Sequence, residues 1–204
     1  MNASVFPLAF LPTIAYGYLW LNEPNPVIDL GEHYVRQTCR NRTYILGSQG
    51  VNMFVIPIIQ GHSTRLPMYE VRIEYKQPWQ RKYWQAIISG YQNAPYFEHY
   101  APEIKELWFE QPSRLADYTL PIFRWLLKQI EPSLTIHTSE QYITQSNNDY
   151  RQTDFLNPSI YKFLPYHQVF SDRYNFCPNL SLFDLLCNKG PESFYVIQQK
   201  NFLE

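Results

Sequence analysis

Three closely spaced arginines, Arg36, Arg40 and Arg42, carry the clearest chemical signal in the sequence. They lie in the run Tyr34 to Leu46, which a four-residue turn with two glycines separates from the apolar run Val51 to Ile59. This pattern predicts an antiparallel hairpin, and the second run is apolar enough to be an interior strand. Because residues two apart share one face of a strand, the arginines are expected to form one cationic row.

That cationic row, together with Asn41, can hold a phosphate or a carboxylate, because guanidinium groups match the geometry of these oxyanions. The alternative is a solvated strand face whose arginines pair with Glu70 or Glu74 on a neighbouring strand. The run Glu70 to Tyr75 alternates charged and apolar residues, which is typical of such a strand.

Asp184 and Asn188 are the second candidate pair for ligand contact or chemistry. They lie four residues apart on a predicted helix and therefore share a face, where they can touch a substrate hydroxyl. For Asp184 the alternative is a capping box with Ser181 at the start of that helix. Tyr96 follows a proline at a helix break, where its ring is free to stack on a sugar.

The cysteines and histidines give weaker evidence of a catalytic or metal-binding site. A cysteine nucleophile with a histidine base is one hypothesis, and small buried thiols are the other. The histidines show no pair at metal-ligand spacing, and no Cys-x-x-Cys motif is present, so we expect neither a metal nor a cofactor. The residues concerned are Cys39, Cys177, Cys187, His33, His62, His99, His137 and His167.

Composition limits the classes of partner. The formal net charge of −1 over 204 residues gives no global field for nucleic acid, so we expect none as a partner. Pro7 and Pro12 interrupt the apolar N-terminal run, which argues against a membrane span. The unpaired cysteine count favours a reducing compartment, and we expect a cytoplasmic protein.

The predicted elements that position these residues fall into a clear order. Val5 to Phe10 resembles a buried strand, and Thr13 caps a short helix that follows it. The hairpin comes next, then central helices that begin with an amphipathic stripe from Trp79 to Tyr91. Tyr166 to Phe170 resembles a strand ahead of the last helix.

This order predicts an α+β fold, or an α/β fold with a mixed sheet. Residues 1–204 are long enough for a single domain with a substantial core, and no linker divides them. Residues 138–160 are polar and lack periodicity, so we expect an exposed loop there.

Four segments in this order and spacing resemble the WbqC-like protein family, known from bacterial O-antigen and other surface-polysaccharide gene clusters. The resemblance extends along nearly the whole chain and is greatest to short members from Bacteroidetes-like bacteria. The segments are Tyr34-Val-Arg-Gln-Thr with Arg40-Asn-Arg42, Trp79 to Pro95-Tyr-Phe97, Tyr166-His-Gln-Val-Phe170, and Pro178-Asn-Leu-Ser-Leu-Phe-Asp-Leu-Leu186 with Asn188-Lys-Gly-Pro191.

Two departures from the family pattern bear on catalysis. Many members begin with His-Gln-Pro, where this chain has Ala9-Phe-Leu-Pro12. Members also commonly carry a histidine where this chain has Tyr83, whose ordinary pKa near 10 suits proton donation better than abstraction. The resemblance names no reaction, so the catalytic residues stay unknown, with Tyr83 and Asp184 as candidates.

Two functional hypotheses follow from the resemblance. In the first, the protein is a transferase-like enzyme of glycan precursor metabolism that binds an anionic or activated sugar derivative. Its expected ligand-binding residues are Arg36, Arg40, Asn41, Arg42, Tyr96 and Asn188. In the second, it is a non-catalytic binding or assembly protein of the same pathway, whose arginines contact acidic residues of a protein partner. A concave pocket containing the arginines and a polar residue of the last helix favours the enzyme, and a flat sheet favours the binding protein.

Overall fold

The chain alternates short strands with longer helices in a computed structural model that describes residues 3–59 and 66–198. His62, considered above as a metal ligand, lies outside the described residues. Short 3₁₀ turns occupy Met68–Glu70 and Gly190–Glu192. The remaining elements are β1 (Ser4–Phe6), α1 (Ile14–Asn22), β2 (Pro26–Asp29), β3 (Arg42–Gly47), β4 (Gly50–Val55), α2 (Trp79–Tyr91), α3 (Phe97–Phe109), α4 (Leu115–Ile130), β5 (His137–Ser139), β6 (Asn148–Asp149), α5 (Ser171–Tyr174), α6 (Leu182–Lys189) and α7 (Ser193–Gln198).

A small parallel sheet has the strand order β5-β2-β1-β6. Helix α1 makes the crossover from β1 to β2, as parallel neighbours require. Thr13 caps this helix as predicted, and its hydroxyl accepts from the Tyr16 N–H at 3.5 Å. Asn179 adds a second acceptor for the first turn through the Ala15 N–H at 2.9 Å. The helix start is therefore tied to a distant part of the chain.

The predicted antiparallel hairpin is present, but its first strand is shorter than expected. β3 pairs with β4 from Arg42↔Val55 to Gly47↔Gly50. The preceding residues turn instead, because Gln37 adopts a left-handed φ of 64° and the Thr38 hydroxyl donates to the Val35 carbonyl at 2.8 Å. The prediction of one cationic row on a strand face is therefore wrong.

β4 is an edge strand and not the interior strand that its apolar sequence suggested. Val51 is 50% exposed and Met53 is 43% exposed. The expected third neighbour, Glu70 to Tyr75, forms no strand in the described structure; Arg72 and Ile73 make only isolated bridges. The Ile73 N–H donates to the Ser113 carbonyl at 3.0 Å, whereas the Ile59 N–H donates to the Arg72 carbonyl and the Glu74 N–H donates to the Pro57 carbonyl, each at 2.9 Å. The segment therefore lies between the start of α4 and the residues that follow β4, and it meets the predicted second hairpin run only at its end.

The helices supply most of the core. The stripe predicted for α2 is buried at Trp79, Trp84, Ile87 and Tyr91, as its helical spacing requires. Every side chain of α6 from Leu182 to Asn188 is buried. One hydrophobic cluster joins residues of α1, the hairpin and helices α2 to α4 with α6. The central position of α6 means that any polar group on it needs an internal partner.

The later part of the chain differs in detail from the predictions. Residues 138–160, expected to be an exposed loop, also provide β6 and most of β5, and bury Arg151 and Phe155. The expected strand from Tyr166 to Phe170 is irregular, because the backbone N–H and carbonyl of Gln168 bond to Ser171 and not to a neighbouring strand. The parallel sheet, the antiparallel hairpin and the helices together make an α+β fold with mixed strand directions, as the sequence predicted.

Helix α2 approaches the hairpin at Gly90. A Cβ at this position would lie 2.8 Å from the Leu46 carbonyl oxygen, closer than real contacts allow. We expect Gly90→Ala to lower the free energy of unfolding by about 1–3 kcal/mol through overpacking, although alanine is the better helix former. Urea denaturation measures the change. Ser89→Ala, one residue away on the exposed face, is the control and should change stability by less than about 0.5 kcal/mol.

Candidate functional site

Arg40 is the centre of a buried ion pair. Its side chain is 1% exposed, and its Nε and Nη2 donate to the two oxygens of Glu32 at 2.9 and 2.5 Å. Nη1 donates to the Thr38 hydroxyl at 3.1 Å, and Nη2 also donates to the Arg151 carbonyl at 2.9 Å. The guanidinium is occupied on every side, so the structure gives Arg40 a structural role in place of the predicted ligand contact.

A second buried ion pair adjoins the first at the carboxyl ends of β2 and β6. Arg151 Nη1 donates to Asp29 Oδ2 at 2.7 Å, and Arg151 Nε donates to Asp149 Oδ1 at 2.9 Å. The guanidinium carbon also lies 4.4 Å from the centre of the Tyr142 ring. In open α/β sheets this edge often binds ligands, but here the protein's own side chains fill it.

The sequence patterns did not point to Glu32 or Arg151, although a signal existed for Arg151. Asp29 and Asp149 end β2 and β6, the two strands that flank β1, so both carboxylates lie at one edge of the sheet and need a cation. Arg151 lies two residues after Asp149 in the sequence and can supply that cation. Glu32 lies in an irregular stretch with no periodic pattern, so only the fold shows that it meets Arg40.

Arg42 and Arg36 remain as a separate pair of cations beside Tyr34, and we call these three residues the Arg42 cluster. Arg36 is exposed, and Arg42 is half-buried at the start of β3. Arg42 Nε is buried and has no hydrogen-bond partner, and within residues 3–59 and 66–198 neither arginine forms a salt bridge.

Tyr34 supplies a neutral hydroxyl to the Arg42 cluster. Burial raises the pKa of Tyr34 to about 12, although the charges of Arg40, Arg42 and Arg36 oppose the shift. The phenol therefore stays protonated at neutral pH and can donate a hydrogen bond. The cluster combines two cations and one neutral donor, which suits an oxyanion.

Asn41 lies between the ion-paired Arg40 and the unpaired Arg42 in the sequence, and its side chain faces the interior. Its Nδ2 donates to the Ile56 carbonyl at 2.9 Å, and its backbone carbonyl accepts from the Ile56 N–H at 2.9 Å. The side chain is 5% exposed. These bonds hold the chain beyond β4 against the start of β3, so Asn41 positions the Arg42 cluster and does not reach a surface ligand.

Asp184 is the centre of a buried hydrogen-bond network. Its carboxylate accepts from Tyr91 at 2.9 Å, from Tyr166 at 2.5 Å and from Gln168 Nε2 at 3.3 Å. Burial raises the pKa of Asp184 to about 6, and these hydrogen bonds oppose the rise. The acid is fully buried, and its contacts fasten α6 to the end of α2 and to the irregular segment before α5.

The capping box expected for α6 forms only in part. Ser181 caps the helix, and its hydroxyl accepts from the Phe183 N–H at 3.1 Å. The reciprocal bond is absent, because the Ser181 N–H donates to the Tyr44 carbonyl at 2.9 Å. The Asp184 carboxylate is therefore free to accept hydrogen bonds from Tyr91 and Tyr166. Helical spacing alone did not reveal these partners.

Asn188 and Tyr96 both lie at the end of α6. Asn188 Nδ2 donates to the Asp184 carbonyl at 2.7 Å, while its buried Oδ1 has no hydrogen-bond partner. Tyr96 N–H donates to the Cys187 carbonyl at 3.0 Å, and its ring packs on Gly190. This pair lies near the Asp184 network, which reaches β3 through Tyr91 at Leu46, whereas the Arg42 cluster lies at the other end of that strand. The predicted ligand residues therefore separate into two groups.

Tyr83, the first catalytic candidate, is held against the hairpin. Its ring stacks on Phe54 with centres 4.2 Å apart. Its hydroxyl accepts from the Val55 N–H at 3.2 Å and donates to the Val55 carbonyl at 3.3 Å. Both hydrogen-bonding capacities of the phenol serve the strand edge, which leaves Tyr83 without a free proton for a substrate.

The segment that takes the place of the family's His-Gln-Pro motif is entirely apolar and buried. Ala9, Phe10 and Leu11 are at most 1% exposed. The Phe10 N–H donates to the Cys39 carbonyl at 2.8 Å, and the Thr43 hydroxyl donates to the Leu11 carbonyl at 2.8 Å. Burial raises the pKa of the Cys39 thiol to about 12, so this thiol is not a nucleophile at neutral pH.

Among residues 3–59 and 66–198, no group of three or more His, Cys, Asp or Glu side chains is arranged to hold a metal ion. Over the same residues, no helix combines the length and apolar character needed to cross a membrane.

Comparison with known proteins identifies the family. The family model described as the WbqC-like protein family matches residues 9–157, which is most of the chain, so the protein belongs to this family. No curated protein and no solved structure matches the sequence significantly. The matched range begins after β1, includes α1, β2, the hairpin, helices α2 to α4, β5 and β6, and ends before the residues of α6.

The buried ion pair predicts a sharp difference between neighbouring arginines. Arg40→Ala leaves Glu32 as an uncompensated buried charge and should lower the free energy of unfolding by about 3–5 kcal/mol. Arg42→Ala, which breaks no ion pair among the described residues, is the control and should cost less than about 1 kcal/mol. Denaturant unfolding followed by circular dichroism measures both changes. Equal, small losses would contradict the role given to Arg40.

Asp184 predicts a particular pH dependence of stability. Because the folded pKa of about 6 lies above the ordinary value of 3.8, the protonated acid favours the fold. Its stabilising contribution is complete below the unfolded pKa and is lost as pH rises through about 6. Between pH 5 and pH 7 the Asp184 contribution should fall by about 1 kcal/mol.

Asp184→Asn should remove this part of the pH dependence, whereas Asp117→Asn, at an exposed position, should keep it. Urea titrations of both variants and the natural protein at pH 5, 6 and 7 provide the test. If the unfolding free energy changes with pH equally in Asp184→Asn and in the natural protein, the pKa of Asp184 is not the source of this pH dependence.

Proposed function

We propose that this member of the WbqC-like family binds an anionic or activated sugar derivative used in the biosynthesis of bacterial surface polysaccharides. The Arg42 cluster holds the anionic group. The observation that carries the proposal is Arg42 Nε, a buried donor without a hydrogen-bond partner. A three-thiol chain without a disulfide is consistent with action in the cytoplasm.

The contrast between Arg40 and Arg42 supports this role. Arg40 has a carboxylate partner and a backbone carbonyl, as a structural arginine should. An unsatisfied buried donor costs about 1–3 kcal/mol, and a ligand oxygen would remove that cost on binding. Arg36 and the Tyr34 hydroxyl provide further donors beside it. A phosphate or a carboxylate offers the acceptors that all three can share.

The surface beside Arg42 suits the less polar part of such a ligand. Arg42 and Tyr44 project from the same face of β3, since they lie two residues apart. Tyr44 also lines an apolar cavity of about 340 Å³ together with Val51 and Phe176. In this arrangement the anionic group lies on the arginines and a sugar ring or another apolar-faced group lies over Tyr44.

A second candidate function, a non-catalytic binding or assembly protein of the same pathway, is favoured by the surroundings of the acid-base candidates. Tyr83 is committed to Val55, and Asp184 is enclosed by two tyrosines. Neither group belongs to the Arg42 cluster. The described part of that cluster provides anion binding without a general base, whereas the enzyme hypothesis requires one from the substrate or from another segment.

The first test is a binding measurement with defined probes. We expect inorganic pyrophosphate, UDP-glucose or dTDP-glucose to raise the melting temperature of the natural protein, because a ligand of the native state stabilises it. Arg42→Gln should weaken the affinity, measured by calorimetry, by about 10- to 100-fold. Its melting temperature without ligand should stay close to that of the natural protein.

Arg173→Gln is the control, because Arg173 lies near the hairpin but, unlike Arg42, is exposed and donates to the Ser48 carbonyl at 3.0 Å. It should bind the probes as the natural protein does. Binding by none of the probes, or equal binding by Arg42→Gln, would reject the proposed site. Mass spectrometry of the recovered nucleotide sugar separates the two functions: intact sugar supports the binding protein, and transfer or hydrolysis supports the transferase.

A further inference from the structure

Among the described residues, nothing pairs with the outer edge of β4 at Val51 and Met53, in contrast to the other edge of the hairpin. On the β3 side, the Tyr44 carbonyl accepts from the Ser181 N–H at 2.9 Å, and the Leu46 N–H donates to the Tyr91 hydroxyl at 3.2 Å. These bonds close that edge with parts of the same chain. An open edge presents a row of N–H and carbonyl groups that can pair with another strand.

The pairing register shows which groups of β4 face outward. Outward and inward groups alternate along an antiparallel strand, and Val55 faces outward because both its N–H and its carbonyl bond Tyr83. Met53 and Val51, two and four residues earlier, therefore also face outward. Among the described residues, the backbone groups of these two have no partner beyond the strand.

The composition of the edge favours self-association. β4 reads Gly50-Val-Asn-Met-Phe-Val55 and contains no charge and no proline, the features that commonly protect strand edges. Val51 and Met53 are also the two half-exposed apolar side chains of the strand. A second copy of the same edge would bring no like charges together and would cover both side chains.

We propose that two copies of this chain associate through antiparallel pairing of β4 with β4, about a two-fold axis at Asn52. This axis places Val51 of each copy opposite Met53 of the other. Each free N–H of these residues then meets a free carbonyl, while Val55 keeps its bonds to Tyr83. The interface is isologous, as in most homodimers, and extends the two-stranded hairpin sheet across both copies.

Tyr83 limits the length of this pairing and fixes its register. Pairing centred on Met53 would oppose Val51 to Val55, whose backbone groups are already taken. Pairing centred on Asn52 uses only groups without a partner. Asn52 of one copy then lies opposite Asn52 of the other copy. In a non-hydrogen-bonded pair of this kind the two Cα atoms lie about 4.5 Å apart. This distance lies within the range for a disulfide, about 4.4–6.8 Å.

Sedimentation velocity of the full chain over roughly 1–300 μM tests the association. We expect a concentration-dependent dimer that Met53→Lys weakens at least about tenfold, because lysine at a strand edge opposes pairing. Ile59→Lys, at an apolar residue that is 49% exposed but outside β4, is the matched control and should dimerise normally. A natural protein that stays monomeric throughout, or a dimer that Met53→Lys leaves intact, overturns the proposal.

Cysteine crosslinking tests the register. In a Cys177→Ser background, which removes the half-buried native thiol, Asn52→Cys should give a disulfide-linked dimer under mild oxidation. Ser89→Cys, at an exposed position on α2, is the control for random collision and should stay monomeric. Crosslinking of Asn52→Cys at no more than the control yield would reject the axis at Asn52.

Discussion

The carboxylate of Asp184 constrains more of this structure than any other group. It lies on α6, which is surrounded by the core, so the charge cannot reach water and must be satisfied from within. Tyr91 brings the end of α2 to it, and Tyr166 brings the irregular segment before α5. Tyr91 in turn accepts from the backbone of β3. One buried acid thus determines how a helix, a hairpin and a loop meet, and explains why Tyr166 and Gln168 turn inward.

The arginines show how the same residue type takes opposite roles within a few positions. Arg40 is enclosed with Glu32, and Arg151 is enclosed with Asp29, so both guanidinium groups hold segments of the chain together. Removing either partner of such a pair exposes the other to a large desolvation cost. Arg42 has a buried Nε without an acceptor among the described residues, and the proposed ligand would supply that acceptor. Partner and burial, not position in the sequence, distinguish these roles.

The hairpin connects the proposed ligand site with the proposed dimer. Arg42 and Tyr44 project from one face of β3, and Val51 and Met53 lie beside them on β4. The edge of β3 is closed by Tyr91 and Ser181, whereas Tyr83 closes β4 only at Val55. β4 exposes apolar side chains and unpaired backbone groups, and a second copy of the chain can cover both.

Periodicity and turn chemistry in the sequence were sufficient for the α+β class, the α2 stripe, the Thr13 cap and the existence of the hairpin, because each depends on contacts between near neighbours. The resemblance to the WbqC-like family rested on four sequence segments, and the family match to residues 9–157 confirms it. The alternation that suggested a row of three arginines failed at Gln37, where the chain turns. An apolar β4 predicted burial, but whether a strand lies inside or at an edge depends on which segments pack beside it. Only the tertiary structure decided that Arg40 meets Glu32, that Asp184 meets two tyrosines and that Arg42 Nε meets no acceptor. These outcomes join residues far apart in the chain, and no local pattern encodes such distances.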